Sequence, residues 1–299
     1  MAEVVHGPSV AFVTSAWERD WRVVLWPGHF SMVLRSHRHE FAIRLVVLNN
    51  FDSPTSQQRA ERAARVLVDM GLATDVIHAP TYLTGARLEQ FGLDQQHFWQ
   101  MNPFFSSAHL AALHYLTGKA DYMFYFSGDV WLERATCWLP RAIQALNAVP
   151  EVRGLNLCRN IYRDGFYPSN CHAETDDLWI SRPRQLALEN GPKGFGLSDL
   201  AYLIPVQPEG GWRFSLASEN LEKWMSRWPV YARPCFEMLY RAAMDQHNFG
   251  HAALKPVGGG PVIKHKNFPR GQLLKLLLYR WLGFYDAGGK YATRFDGET

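Results

Sequence analysis

The stretch that decides the fold is Asp121-Tyr122-Met123-Phe124-Tyr125-Phe126, which Ser127-Gly128-Asp129 follows directly. A short, continuous apolar run bounded by turn residues is typical of a strand buried on both faces of a mainly parallel sheet. Polar residues directly after such a strand lie at the carboxyl edge of the sheet, where open α/β sheets bind their ligands. We therefore expect the segment from Ser127 to Asp129 to border a binding site.

The rest of the chain repeats this strand pattern and alternates it with helical spacing. Strands are predicted at Val10–Thr14, Ile43–Leu48 and Asp75–His78, and helices at Ser56–Gly71, Pro103–Gly118 and about Arg134–Ala148. Pro80–Met101 is predicted to be a long excursion with a single short helix. This alternation predicts an α/β fold with a doubly wound, mostly parallel central sheet flanked by helices. The edge rule then adds Ser15-Ala16-Trp17 and Asn49-Asn50-Phe51-Asp52 to the candidate site.

Composition narrows the function classes. The chain has 299 residues, 47% of them hydrophobic, which is enough for a large core and excludes global disorder. The net charge is only +3, and the Lys and Arg residues are scattered along the chain without forming one basic arm. No nucleic-acid partner is therefore expected. The four cysteines form no CxxC pair and no apolar signal core follows the first residues, so we expect free thiols and a cytoplasmic protein.

One segment leaves peripheral membrane contact open. No stretch reaches the roughly 20 apolar residues that a membrane span needs. Gln272–Asp286 mixes leucines and Trp281 with Lys275 and Arg280. That mixture suits a helix at a membrane interface, and equally an ordinary helix packed on a core.

The order of the motifs resembles a known family. Asn49–Ser53 is similar to the second-strand motif of inverting, family-2-like glycosyltransferases with the GT-A fold. Phe105–Leu113, running through Lys119–Asp121 into the hydrophobic strand and Asp129, is similar to the helix and strand before that family's Asp-x-Asp element. The resemblance covers most of residues 10–265. It implies a nucleotide-diphosphate sugar donor, with a UDP-sugar favoured, and a glycan, lipid-linked or small-molecule acceptor.

The resemblance also implies a divalent ion, Mn²⁺ or Mg²⁺, held by Asp129 and His265. This sequence has Ser127-Gly128-Asp129 in place of Asp-x-Asp and keeps only the second carboxylate. Mg²⁺ commonly needs one or two protein carboxylates besides phosphate oxygens and water, so one can suffice. The alternatives are that Asp129 caps a helix opening near Leu132–Arg134 and that His265 is a hydrogen-bonded structural residue.

Two acidic residues compete for the role of catalytic base. Glu237 corresponds to the family's catalytic Asp at a helix start, where it would take the proton from the acceptor hydroxyl. A first-turn acid that interacts with the helix dipole is the alternative. Asp199 is the rival base or a ligand of an acceptor hydroxyl, and a loop Asp capping the next element would look the same in sequence.

The remaining expectations concern donor contacts, organisation and the competing functions. Residues expected to contact the donor are Thr14, Ser15, Ala16, Asn50, Asp52, Ser127, Gly128, Lys264 and Lys266. We expect residues 1–150 to form the nucleotide-sugar-binding half of the domain, 151–270 the acceptor-binding and catalytic half, and 271–299 a helical tail. The alternatives are a sugar nucleotidyltransferase, which would favour a glycine-rich loop after the first strand where Ser15–Arg19 has no glycine, and a non-catalytic carbohydrate-binding protein.

Aromatic and histidine residues are the last candidates. Sugars stack on aromatic rings, and the candidates in segments expected near the acceptor are Trp131, Trp179, Phe195, Tyr202 and Trp212, although most aromatic residues in any protein belong to the core. His37-Arg38-His39 and His247–His251 have no nearby carboxylate or Cys ligands at known spacing. They are therefore predicted to be surface or packing histidines.

Overall fold

The computed structural model describes residues 7–100, 106–128, 130–159, 173–181, 201–215, 236, 239–240, 243–244, 247–255 and 261–265. The strands in these ranges are β1 Val10–Ala16, β2 Ile43–Leu48, β3 Asp75–His78, β4 Tyr122–Phe126, β5 Val130–Leu132, β6 Val152–Arg159, β7 Ala173–Glu174, β8 Leu178–Ser181, β9 Ala201–Pro205, β10 Gly250–Leu254 and β11 Val262–His265. The helices are α1 Trp21–Val24, α2 Pro27–Ser36, α3 Pro54–Asp69, α4 Ala79–Tyr82, α5 Gly85–Glu89, α6 Gln95–Gln100, α7 Ser106–Leu116 and α8 Leu139–Ala148.

One central sheet joins the strands in the order β3-β2-β1-β4-β9-β6-β10-β8-β7. The first four are parallel neighbours, β9 runs antiparallel to both β4 and β6, and β10 is parallel to β6. Along this path only β9 and β8 oppose the common direction. A short branch leaves the sheet at the end of β6, where β11 pairs with β6 and with β5.

The sheet is covered on both faces, which makes the fold doubly wound. One face packs against α1, α2, α3 and α8 through a cluster that contains Phe12, Phe124 and Trp138. The other face packs against α4 to α7 through Val13, Met123 and further apolar side chains. Because both faces are covered, the strands are apolar on both sides, as the continuous runs in the sequence indicate. The predicted α/β, doubly wound, mostly parallel sheet flanked by helices is confirmed.

Local sequence explains where the best-defined helix begins. Ser53 adopts an extended backbone before α3, and its side chain accepts a hydrogen bond from the Ser56 backbone N–H at 3.1 Å. Pro54 follows at the first helical position, where its missing N–H costs nothing. The cap places the start of α3 two residues before the predicted Ser56, and the helix ends at Asp69, two residues before Gly71.

Two sequence-based expectations were wrong in this part of the chain. Strand β5 follows position 129, and the helix predicted from about Arg134 begins only at Leu139. The segment between β3 and α7 holds three short helices, α4, α5 and α6, in place of the single one expected. Helices of four to six residues are too short to show a helical period in sequence.

None of the helices in the described ranges combines the length and the apolar character that crossing a bilayer requires.

Candidate functional site

The candidate site lies at the carboxyl edge of the sheet, between β1 and β4. The connections from β1 through β2 to β3 run along the face covered by α1 to α3, whereas α4 to α7 lead from β3 to β4 along the other face. The chain therefore changes face and direction at β1, and β4 joins β1 on the side away from β2. In open α/β sheets this switch point is where ligands bind.

The ends of β1 and β2 are tied together by the backbone. Asn49 N–H donates to the carbonyl of Ala16 at 3.0 Å, and Glu18 N–H donates to the carbonyl of Asn50 at 3.4 Å. Asn50 has a φ of 53°, in the left-handed region that Asn tolerates better than most residues. Ser107, on the first turn of α7, donates its hydroxyl to Asn49 Oδ1 at 3.0 Å. These contacts hold the Asn49-Asn50 turn against β1 and α7.

The residues expected to contact the donor differ in their accessibility. Thr14 and Ala16 are buried, because β1 continues to Ala16 and does not end at Thr14. Ser15 is half-buried, and its hydroxyl is 2.6 Å from the hydroxyl of Tyr125 on β4. Asn50 is half-buried and Asp52 is exposed. Ser15, Asn50 and Asp52 are thus the accessible members of the set at these two strand ends.

Sequence reasoning missed an acidic residue at this edge. Glu18 is half-buried, and its Oε1 accepts the hydroxyl of Ser56 on α3 at 2.8 Å. Its second oxygen, Oε2, is buried and has no hydrogen-bond partner in the described structure. The sequence signal available was a carboxylate four residues beyond the predicted strand Val10–Thr14, the same spacing at which Asp52 follows Leu48.

The end of β4 is packed tightly against α1. Ser127 is half-buried and Gly128 is buried. A Cβ at Gly128 would overlap both methyl groups of Val24, so glycine is required for this approach. His29 Nε2 donates to the Gly128 carbonyl at 3.1 Å. The backbone that leads into Asp129 is therefore held from two sides.

Strand pairing brings the two segments predicted to hold metal side by side. Asp129 itself lies outside the described residues, but Val130 follows it and is the register partner of His265. Trp131 pairs with Lys264, and Glu133 N–H extends the ladder to the Val262 carbonyl at 2.8 Å. The side chains of Lys264 and His265, and all of Lys266, lie outside the described part. Because a strand follows Asp129, the alternative in which Asp129 caps a helix near Leu132 is wrong.

Both base candidates, Glu237 and Asp199, lie outside the described residues, but their neighbours in the chain are placed. Ala201 pairs with Phe126, the last residue of β4, so antiparallel β9 begins at the carboxyl edge two residues after Asp199. Phe236 precedes Glu237, is buried, and stacks on the His109 ring of α7 at 4.7 Å with an interplanar angle of 5°.

The described aromatic candidates are mainly core residues. Trp131, Tyr202 and Trp212 are buried, so their rings pack inside the protein and do not offer a face to a sugar. Trp179 on β8 is half-buried and lies 5.8 Å from Lys255 Nζ. Phe195 lies outside the described residues. Three of the aromatic residues that were expected near the acceptor are therefore part of the protein core.

His37 was predicted to be a surface or packing histidine. His37 is fully buried among Phe12, Phe41, Phe124 and Phe126, which makes it a packing residue as expected. Among the described residues, no group of three or more His, Cys, Asp and Glu side chains could hold a metal ion.

Comparison with known proteins gave similarities to solved structures. No protein-family model and no curated protein matches the chain. The galactosyltransferase LgtC, in complex with donor and acceptor sugar analogues, is similar at 14% identity and a TM-score of 0.38, over 78% of this chain and 69% of that one. Glucosyl-3-phosphoglycerate synthase from Mycobacterium tuberculosis, in complex with Mg²⁺ and UDP, is similar at 13% identity and a TM-score of 0.40, over 94% and 82%. The same synthase in complex with Mn²⁺, UDP and glucosyl-3-phosphoglycerate is similar at 12% identity and a TM-score of 0.39. Because these TM-scores are below 0.5, the function must be argued from the site.

Proposed function

We propose that this protein is an inverting, metal-assisted glycosyltransferase that moves a sugar from a nucleotide-diphosphate sugar to an acceptor hydroxyl. The observation that carries the proposal is the pairing of Val130 with His265, which sets the chain beside Asp129 against a segment more than 130 residues later. This pairing occurs at the carboxyl edge next to the switch point, which is where open α/β sheets generally bind their ligands.

Donor binding is assigned to the accessible groups at this edge. We assign Ser15, Asn50 and Asp52 to the nucleoside, for which uridine is the favoured base. Ser127 and the buried backbone at Gly128 are assigned to the diphosphate. One carboxylate and one imidazole, from Asp129 and His265, form a donor set that suits Mn²⁺ or Mg²⁺ completed by phosphate oxygens and water. When bound, the ion would offset negative charge on the leaving diphosphate. Lys264 and Lys266 add cationic charge to the same segment.

The chemical step follows from these assignments. The acceptor oxygen attacks the anomeric carbon from the face opposite the diphosphate, so the configuration at that carbon inverts. The bond between the anomeric carbon and the diphosphate oxygen breaks, and its electron pair leaves with the nucleoside diphosphate. Glu237 takes the proton of the acceptor hydroxyl, a general-base contribution of typically about 10²–10⁴-fold in rate. Asp199 is the second candidate base, since it lies two residues before the start of β9 at the same edge.

The organisation proposed for the chain follows the same division. Residues 1–150 are assigned to the donor, 151–270 to the acceptor and catalysis, and 271–299 to a tail that could reach a membrane surface. A lipid-linked acceptor would make such peripheral contact useful. Sedimentation with anionic vesicles, compared with a variant in which Lys275 and Arg280 are replaced by Glu, tests the tail directly. Equal sedimentation of both proteins would contradict an electrostatic contact of this tail with the membrane.

The decisive experiment measures donor binding and sugar transfer on the same preparations. UDP with Mn²⁺ should raise the melting temperature of the wild type, and Asp129→Ala should lose most of that rise. Glu237→Gln should keep UDP affinity while transfer falls by about 10²–10⁴-fold. Glu151→Gln, at the exposed start of β6 on the opposite edge, is the matched control and should retain both.

The other results identify the competing functions. Undiminished transfer by Glu237→Gln would move the base to Asp199, whose Asn variant should then lose turnover. Binding of UDP without any sugar transfer or hydrolysis in the wild type would favour the non-catalytic carbohydrate-binding protein. Equal UDP binding by Asp129→Ala and wild type would remove Asp129 from the site.

A further inference from the structure

A wide, open cavity of about 700 Å³ lies between α5 and α6. Its described lining consists of Gly85, Glu89, Asp94, Gln95, Gln96 and Trp99. The volume falls within the range of about 300–1,000 Å³ that is usual for small-molecule sites. None of these residues belongs to the donor, metal or base set.

One wall of the cavity is a fixed aromatic ring. Trp99 is half-buried and packs edge-on against Phe98, with ring centroids 5.1 Å apart and an interplanar angle of 73°. Phe98 is fully buried in the apolar cluster between the sheet and α4 to α7, and Trp99 packs against this cluster, which restricts the position of the indole. A ring held in this way offers apolar surface to a ligand without losing much conformational freedom on binding.

Two polar groups in the lining are also positioned by the fold. Asp94 Oδ1 accepts the backbone N–H of His97 at 2.7 Å, which fixes the carboxylate at the start of α6. The Gln95 side-chain oxygen lies close to Gly85, where a Cβ would come within 2.5 Å of it. The Gln95 amide therefore lies beside the first residue of α5.

The composition of the lining selects one class of ligand. It contains two carboxylates and two amides, and no Lys or Arg among the described residues, so phosphate and other anions are repelled. Carboxylate and amide oxygens accept hydrogen bonds from hydroxyl groups, and amide N–H groups donate to them. The indole supplies the apolar contact that the CH-rich face of a sugar ring requires. Together these groups match an uncharged saccharide.

We propose that this cavity is a saccharide-binding subsite and that its ligand is part of the acceptor glycan. Saccharide binding is argued from the cavity alone, whereas the identity of the ligand as part of the acceptor rests on the proposed glycosyltransferase function. Trp99 lies eight residues before Ser107, which contacts the Asn49 side chain at the carboxyl edge. The two residues are thus at most about 29 Å apart, within reach of a glycan of several sugars.

The test measures saccharide binding directly by saturation-transfer NMR. Cellobiose, maltose and lactose at about 10 mM are the uncharged probes, with glucose 6-phosphate and choline as the anionic and cationic counterparts. At least one disaccharide should receive saturation from the wild type, and the charged probes should receive little. Trp99→Ala should weaken affinity about fivefold or more, and Trp99→Phe should restore most of it.

Further variants protect the test against misfolding. Gln96→Ala changes an exposed residue of the lining and should weaken binding while the far-UV spectrum is unchanged. Gln58→Ala, an exposed glutamine on α3, is the matched control and should bind like the wild type. The proposal would be overturned if none of the disaccharides received saturation from the protein, or if choline bound and the disaccharides did not. Equal disaccharide affinity of Trp99→Ala and wild type would also overturn it. UDP binding with Mn²⁺ on the same samples separates this outcome from failure of the proposed function.

Discussion

Lowering the pH should destabilise the protein through one buried side chain, His37. The imidazole is fully buried, and its Nδ1 accepts the indole N–H of Trp138 at 3.1 Å. Rings of Phe124 and Phe126 stand edge-on to it at 4.9 and 4.8 Å. Burial, with a smaller effect of nearby His39, lowers the pKa of His37 from 6.5 to about 3. The neutral imidazole is therefore the form that the folded protein holds.

The size of the effect follows from proton linkage. Between pH 6.5 and about pH 3 the unfolded chain binds a proton at His37 that the folded protein does not. Stability from this residue is therefore complete above pH 6.5 and is lost as the pH falls, at about 1.4 kcal/mol per pH unit. Acidification to about pH 4.5 should remove about 3 kcal/mol, a large part of the stability of an ordinary domain.

The assay is urea unfolding at a series of pH values, with wild type and His37→Gln compared at each. Gln keeps an acceptor for Trp138 but does not titrate, so its stability should depend less steeply on pH. The variant should be less stable near neutral pH and should approach or pass the wild type at about pH 4.5. His97→Gln, at an exposed position on α6, is the control for loss of a histidine. Parallel pH curves for wild type and His37→Gln would refute the reasoning.

Two further predictions concern packing and capping. Gly128→Ala should lower the free energy of unfolding in urea by about 1–3 kcal/mol, because the new methyl overlaps Val24. Adding Val24→Ala should recover part of this loss, and strictly additive losses would show that the two side chains do not meet. Ser53→Ala should cost about 1 kcal/mol by removing the acceptor for the Ser56 N–H, and Ser53→Asp should retain most of the stability; a thermal melt unchanged in Ser53→Ala would contradict this role of the cap.

Sequence was sufficient for the elements whose signal is local. The bounds of β2, Ile43–Leu48, match the prediction, because the strand is a mainly apolar run rich in β-branched residues that ends at Asn49-Asn50. β1 is longer than predicted, since Ser15 and Ala16 continue the ladder with β2 although their residue types do not favour strands. β5 was missed entirely, because its three residues become a strand only through β11, far along the chain.

The candidate site divides in the same way. Ser15 and Asn50 were singled out because strand ends can be read from the sequence and ligands of open α/β sheets bind at the carboxyl edge. Both are half-buried in the structure, and their contact with a donor stays a prediction. Glu18 was not singled out, although its distance from the predicted strand marks it in sequence; its hydrogen bond with Ser56 spans 38 residues and is visible only in the structure. Thr14 and Ala16 were included because the end of β1 was placed too early, and both side chains point into the core.

The pairing of β5 with β11 has a consequence for biosynthesis. Among the described strands, β5 pairs with β11 alone, and β11 ends at His265. At about 5–20 residues per second, the ribosome needs about 6–26 s to add the chain between these two strands. During that interval β1 to β4 can already form their parallel sheet, while β5 waits on the nascent chain without its partner. Binding competence at this edge should therefore arise only after β11 has been synthesised, whatever the speed at which β1 to β4 fold.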